Sequence, residues 1–354
     1  MQIIEIAFFI LLGLIVYTYI GYPILLLVTR QIDFSKNKNL EPTVSLIITA
    51  HNEEEIIKTK LENSLALNHP LEKLQIIIAS DGSTDGTVML AEEHHEVEVL
   101  DLSRMGKTAA QNEAVQIASG EILVFSDANT LYSHDALKKL VVNFADNRVM
   151  CVCGELKYNE NGHGENLYWR YEVMLKKMES RRGQLLGANG GIYAIRREAY
   201  LPLPQDAISD FVEPLMIYLR GGKVVYEGSA VAWESEPVSI FRRKRRIILR
   251  TLYSLKYLTS LLNPFKKNNL FIPLISHKII RWFMPYLLIL LFLSNVYLVD
   301  IFYFRIILLL QVLFYSLTMV SSIVRYYFLV NLASFMAIMD WLRGKKIVTW
   351  DIRT

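Results

Sequence analysis

TVSLIITAHNEEEIIKTKLENSLALNHPLEKLQIIIASDGSTDGT, residues 43 to 87, holds two apolar runs with a helical pattern between them. TVSLIITA is built from β-branched and aliphatic residues without alternation, so it reads as a strand buried on both faces. In HNEEEIIKTKLENSLAL, Ile56, Ile57, Leu61 and Leu65 recur at helical spacing, behind carboxylates suited to a first turn. LQIIIAS is a second buried strand. It stops at DGSTDGT, whose Gly, Ser, Thr and Asp favour turns and caps. Two strands joined through a helix pair in parallel.

The pattern repeats downstream. VMLAEEHH is helical, VEVLDL is a strand, KTAAQNEAVQIAS is a helix ending at Gly120, and EILVFSDAN is another strand. The fold class is α/β, a mostly parallel sheet covered on both faces, with ligands expected at the carboxyl ends of its strands. Those ends carry Ala50–His51–Asn52–Glu53, then Asp81–Gly82, then Asp127–Ala128–Asn129. In an extended chain Asp127 and Asn129 share a side. Any one cluster is as readily a turn or a helix cap; three on one sheet edge point to a ligand.

From about residue 141 the alternation loosens. VMCVCGEL reads as a strand, NLYWRYEVMLKKMESRRGQ as a long polar helix, SDFVEPLMIYLRGG as a helix, and KVVYEGSAVAWE as a strand. The rest of the domain is therefore mixed. Cys151 and Cys153 fall on one face of a strand, too close to bridge comfortably, and read as buried structural thiols.

Hydrophobicity is concentrated at the two ends of the 354 residues. Residues 3–29 carry one charge, Glu5, and residues 283–341 only Asp300, Arg305, Arg325 and Asp340. Each end is long enough to cross a bilayer. The first segment lacks a basic start and a small-residue cleavage site, so it reads as a retained anchor. The expected organisation is an anchor over 1–30, a domain over 31–238, basic interfacial helices over 239–282 and a membrane region over 283–354. In the last, 283–299 and 303–324 read as full spans and 325–341 as interfacial or re-entrant. Arg30, Lys36 and Lys38 after the first span, and the basic run near 242–250, place the domain in the cytoplasm by the positive-inside rule, at an inner membrane. A formal net charge of +3, gathered at the membrane borders, argues against a nucleic-acid partner. In SIFRRKRRIILRTLYSLKYLTSLL, Ile240, Phe241, Ile248, Leu252, Leu255 and Leu262 share a helical face, which reads as a helix lying against membrane lipid.

AHNEE (50–54), DGSTDGT (81–87), GKTAAQNEAVQIASGEILVFSDAN (106–129), GANGGIYAIRR (187–197), SDFVEPL (209–215) and RRKRRI (242–247), in this order, resemble membrane-bound, inverting family 2 glycosyltransferases with a GT-A fold. Bacterial synthases of cellulose, poly-N-acetylglucosamine and hyaluronan are the nearest likeness. SHKIIRW (276–282) and a tail with Trp350 and Arg353 look similar too. The resemblance implies a UDP-sugar donor held by Ala50, Asn52, Glu53 and Asp81, with Lys107 near the diphosphate and Gly190 offering close backbone. It implies Mg2+ or Mn2+ at Asp127, with Asn129 as a neutral partner where the family usually has a second aspartate. Hard oxygen ligands suit such ions. Asp210 aligns with the general base, with Asp206 and Glu213 nearby. Arg246 is the only residue of RKRRI (243–247) that matches the family's Gln-x-x-Arg-Trp motif. The acceptor implied is a membrane-held polysaccharide or glycolipid. The alternatives are addition of one sugar to a polyprenyl-type lipid, and, from another class, a nucleotide-binding membrane scaffold without turnover. No G-x-G-x-x-G follows the first strand, which disfavours a nicotinamide enzyme.

Overall fold

The computed structural model describes residues 1–158, 163–235, 239–265 and 269–346. Trp350 and Arg353, and the expected domain boundary at 238, lie outside the described residues.

The first helix, α1 (Gln2–Val16), continues through a π-helical turn at Tyr17–Gly21 into α2 (Tyr22–Val28). The chain then enters the sheet at β1 (Val44–Ala50). Next come α3 (Ile57–Leu65), β2 (Leu74–Asp81), α4 (Thr87–Glu92), β3 (Val97–Leu102), α5 (Lys107–Ile117) and β4 (Ile122–Asp127). β1 pairs in parallel with β2 and β4, and β2 with β3, as the alternating pattern requires. All seven residues of β1 are buried, because helices cover both faces.

The second half is mixed. β5 (Thr130–Tyr132), α6 (Ala136–Val141), β6 (Val149–Tyr158), α7 (His163–Ser180), β7 (Tyr193–Arg196), α8 (Ser209–Leu219) and β8 (Lys223–Glu234) complete the domain. The eight strands run β3-β2-β1-β4-β7-β6-β8-β5, with β7 antiparallel to β4 and β6. Cys151 and Cys153 are free and buried, and burial pushes the Cys153 thiol up to about 11.

Beyond the sheet lie α9 (Ile240–Ser254), the short α10 (Phe271–Pro273), a π-helical turn at Leu274–Ile279, α11 (Ile280–Tyr297), α12 (Phe302–Ser316) and α13 (Ser322–Leu342). Among the described residues, four helical stretches are long and apolar enough to cross a membrane: Gln2–Val28, Phe271–Tyr297, Phe302–Met319 and Ser322–Leu342. The third thus ends before the expected residue 324, and the fourth starts at Ser322 with a side-chain cap from Ser321. Although α13 has the length of a span, it lies against the domain. Ala337 and Ile338 join one core with Phe211 and Leu215 of α8 and Ile248, Leu249 and Leu252 of α9. That corrects the expected lipid-facing surface of α9: its apolar residues Ile248 and Leu252 are covered by protein. An amphipathic pattern shows that a face is buried, not by what.

Arg245 of α9 donates through Nε to Asp340 Oδ2 of α13 at 2.6 Å, and Asp340 is buried. Removing a buried ion-pair partner leaves an uncompensated charge. Asp340→Ala should therefore raise amide exchange along α13 while leaving β1–β4 protected. Unchanged exchange there would show that apolar packing alone holds α13.

Candidate functional site

The ends of β1 and β2 lock each other. Asn52, in the left-handed region at φ 54°, accepts from the Thr84 N–H through Oδ1 at 2.8 Å, and its own N–H donates to Ser83 Oγ at 3.1 Å. Glu54 Oε2 accepts from Gly86 N–H at 2.8 Å, and Glu53 N–H donates to Thr87 Oγ1 at 2.8 Å. His51 reaches the Asp81 carbonyl at 2.8 Å. The AHNEE and DGSTDGT stretches thus form one rigid rim, with Ala50 buried beneath it.

Asp81 is fully buried at this rim. Its Oδ1 accepts from the N–H groups of Met105 and Gly106 at 2.7 and 2.8 Å. Gly106 can turn this way because its φ is 92°, a region L side chains rarely enter. Asp81 Oδ2 has no partner among the described residues, so one acceptor is left for a ligand N–H or hydroxyl.

The turn at Asp81–Gly106 starts α5 and aims Lys107 across the sheet edge. The Lys107 ammonium pairs with Asp127 at the end of β4 and donates to the Gly190 carbonyl at 3.2 Å. Thr49 Oγ1 donates to the same Asp127 oxygen at 3.2 Å. Asp210 stands on the other side of Gly190. A Cβ on Gly190 would come within 2.7 Å of Asp210 Oδ2 and 3.2 Å of Lys107 Nζ. Only glycine leaves this gap. The spacing between Lys107 and Asp210 is set by α5 and the start of α8, through Thr108 Oγ1 to Ala207 O (2.8 Å) and Ser209 Oγ to Gln111 Oε1 (2.7 Å).

Asp210 is in the first turn of α8, but the cap position is Ile208, so Asp210 is not spent on capping. Burial raises its carboxyl above the usual range, opposed by Lys107 and Arg250 and reinforced by Asp127. A raised carboxylate is a stronger base toward a hydroxyl. One helical turn on, Glu213 is buried, accepts from the Tyr193 hydroxyl at 3.0 Å, and has an Oε1 without a partner among the described residues. Burial first, and Asp210 beside it, push it up to about 8. Asp206, the other nearby carboxylate, is taken up by Lys256 at 2.5 Å and by the Tyr257 hydroxyl.

Asn129 departs from the extended-chain expectation. β4 ends at Asp127 and residues 128–129 form a turn, so the two side chains diverge. Asn129 Nδ2 faces Glu234 Oε1 at 3.4 Å, whereas Asp127 faces Lys107. Among the described residues no group of three or more His, Cys, Asp or Glu side chains is placed to hold a metal ion. Asp127 is the carboxylate here that would hold a divalent cation, and its hard oxygens suit such an ion. Arg246 is not among the residues lining the cavity beside Asp210. Arg243 and Lys244 are, and Arg250 approaches Asp210 from the same helix.

One residue escaped sequence reading altogether. Lys60 of α3 is fully buried behind β4, where its ammonium donates to Ser126 Oγ at 2.8 Å and to the Thr130 carbonyl, over the Tyr132 ring. Burial lowers it to about 7, with Asp127 pulling the other way. A lysine at a position spaced like the helix's buried face was the available signal, and it pins the turn that carries Asp127 and Asn129.

Residues 45–201 match the family model for glycosyl transferase family 2. Poly-beta-1,6-N-acetyl-D-glucosamine synthase of Staphylococcus aureus (strain COL) is 27% identical over 232 residues, which is 60% of this chain and 56% of that protein. The chain therefore spans about half the length of that relative. Among solved structures, mannosyltransferase PcManGT from Pyrobaculum calidifontis, in complex with GDP-Man and Mn2+, aligns with a TM-score of 0.75 at 21% identity, over 96% of this chain and 99% of that one. The second likeness is one of fold, and it includes the helices outside the sheet.

Glu213 gives a pH prediction. Its folded pKa, about 8, lies above the usual carboxylate value, so the folded state holds a proton that the unfolded state has lost. Its contribution to stability is full below the unfolded pKa and is lost as pH rises through about 8. Glu213→Gln should flatten that loss in denaturation midpoints measured across this window. An unchanged pH slope would mean that Glu213 ionises without cost.

Proposed function

The chain carries a family 2 glycosyltransferase domain, and from that premise we propose that it moves a sugar from a UDP-sugar to a membrane-held acceptor, with inversion. The observation that carries the reading is the gap at Gly190, with Lys107 paired to Asp127 on one side and the raised Asp210 carboxylate on the other. A diphosphate leaving group and an attacking hydroxyl need those two kinds of group a short distance apart.

In this reading the nucleoside lies on the rim of Ala50, Asn52, Glu53 and Asp81. The free Asp81 oxygen accepts from an N–H of the base, and Lys107 swings from Asp127 to the diphosphate. A divalent cation at Asp127 supplies charge stabilisation to the departing diphosphate. Asp210 takes the proton from the acceptor hydroxyl as that oxygen bonds to the anomeric carbon and the bond from that carbon to the diphosphate breaks. Inversion follows because attack and departure are on opposite faces. The raised carboxyl and the absence of a capping role favour Asp210 as base over Glu213, whose Oε2 is engaged by Tyr193.

The apolar helices support an acceptor delivered from a membrane, with the domain on the cytoplasmic side as the basic flanks of the first span indicate. Growing polysaccharide is the first reading, supported by the likeness to a poly-N-acetylglucosamine synthase. Addition of one sugar to a lipid-linked acceptor is the second. The specific observation favouring it is the row Arg243–Lys244–Arg245–Arg246–Ile247, which lacks the Gln and Trp of the processive motif.

Purified protein in lipid discs, given labelled UDP- and GDP-sugars with Mn2+ or Mg2+, should transfer sugar from a UDP donor and stop on chelation. Asp210→Asn should keep nucleotide affinity and lose roughly 10²–10⁴ in turnover, the usual weight of a general base. Full turnover in that variant removes Asp210 as base, and chelator-resistant transfer removes the cation at Asp127. Product length separates the two acceptor readings.

A further inference from the structure

On the sheet edge opposite Asp127 lies a cavity of about 680 Å3 that shares no lining residue with the one beside Asp210. Arg148 precedes β6 and Lys223 opens β8, and both strands run in the direction of β4, which ends at Asp127. Thr29 and Arg30 bring the end of the first apolar helix to the same cavity, and Asn269 brings the approach to the second. Backbone contacts fix its wall. Ile32 N–H donates to the Arg181 carbonyl at 2.6 Å, Arg148 Nη2 to the Asp33 carbonyl at 2.8 Å, and Lys223 N–H to the Arg148 carbonyl at 2.7 Å. At Gly183, with φ 63°, a Cβ would come within 2.8 Å of Lys223 Cδ and 2.9 Å of Phe34 Cζ, so only glycine lets this wall close.

Arg30, Arg148, Arg182 and Lys223 line the cavity, against one carboxylate, Asp33. Arg148 is taken from behind by Asp146 at 2.7 Å. Among the described residues Arg30, Arg182 and Lys223 form no ion pair, with Asp33 or with any other carboxylate. Lys223 instead lies over the Tyr218 ring at 5.1 Å, and the Tyr218 hydroxyl is held by Gln184 Nε2 at 2.8 Å. Four cations thus face two carboxylates, Asp33 and Asp146. Like charges around a concave wall focus their field into it and gather the opposite ion. Next to the lining residues Thr29 and Asn269 the chain exposes Leu27, Val28 and Ile272, all three in stretches apolar enough to enter a bilayer. A free anion would answer the cations and leave these apolar side chains in water.

We propose that this cavity holds the phosphate head of an anionic phospholipid, with Arg182 and Lys223 as its cations and the acyl chains against Leu27, Val28 and Ile272. The ligand chemistry is a phosphate anion, and the exposed apolar neighbours select a lipid over free phosphate as its source. Arg182 supplies a planar fork of donors and Lys223 a point charge, the two ways in which side chains bind phosphate. Basic pockets beside membrane helices recognise anionic heads in this way. Because the cavity is on the edge opposite Asp127, its lipid takes no part in sugar transfer. It fastens the end of the first apolar helix to the amino edge of the sheet, where Ile32 and Asp33 already bind the domain through their backbone.

The test uses the full chain in phosphatidylcholine discs and a fluorescent short-chain phosphatidylglycerol as probe. The parent should bind the probe, and Arg182→Gln with Lys223→Gln should weaken binding about tenfold or more. Lys38→Gln with Arg343→Gln removes the same charge elsewhere and should keep affinity to within roughly threefold, as should the charge-retaining pair Arg182→Lys with Lys223→Arg. Nucleotide-sugar affinity should be the same in all of these variants, which shows that each is folded. A parent that binds no probe overturns the site, and so does equal affinity in the Arg182→Gln, Lys223→Gln protein. An equal loss in the Lys38→Gln, Arg343→Gln protein also overturns it, because bulk surface charge would then explain the binding. Displacement of the probe by millimolar inorganic phosphate overturns the lipid source, and competition by unlabelled phosphatidylcholine as strong as by phosphatidylglycerol overturns the choice of an anionic head.

Discussion

Lys107 held between Asp127 and the Gly190 carbonyl is the contact around which the polar edge of this protein is arranged. It requires β4 to end at Asp127, α5 to begin at Lys107 after a left-handed glycine, and a chain without a side chain at residue 190. Asp81 secures the second of these conditions by accepting from Met105 and Gly106 N–H. The backbone around the ion pair is therefore determined by hydrogen bonds made within the chain itself. Such preorganisation spares the site the reorganisation that a flexible loop would need on binding.

A second layer of constraint comes from behind the sheet. Lys60 holds Ser126 and Thr130, and Asn63 exchanges two hydrogen bonds with the Tyr132 backbone at 2.8 and 2.9 Å. Helix α3 thus grips the strand–turn–strand that presents Asp127. On the far side of the site, α8, α9 and α13 share one apolar core, so the helix bearing Asp210 shares its packing with a helix long enough to span a membrane. The domain and its apolar helices meet beside Asp210 rather than across a linker.

Much of this was legible from short-range pattern. The buried runs of β1, β2 and β4 and the helices between them announce parallel pairing, and the carboxyl-edge rule collects Asn52, Asp81 and Asp127 on one rim. Gly190 and Asp210 were located by resemblance, and the structure brings them to Lys107. Other features were hidden for identifiable reasons. Asn129 diverges from Asp127 because the strand ends at Asp127 and the chain turns at once, and a period of two holds only while a chain is extended. The basic helix α9 was read as facing lipid because its amphipathicity is plain, but the same stripe fits protein, and α8 and α13 cover it. Alignment selected Arg246, while the three-dimensional helix presents Arg243 and Lys244 to the cavity and Arg250 to Asp210.

By itself the sequence determined the α/β class, the parallel pairing of the first four strands, the apolar ends and the chemical character of the strand-edge residues, since each depends on local periodicity or composition; the spatial order of those strands came from the structure. Only the tertiary structure decided which buried polar and charged groups satisfy each other. Lys60 and Thr130, Arg245 and Asp340, and His277 with Glu172 and Glu179 are 70, 95, 105 and 98 residues apart along the chain. Pairing at such separation is set by how helices pack over the sheet, and no local pattern encodes it.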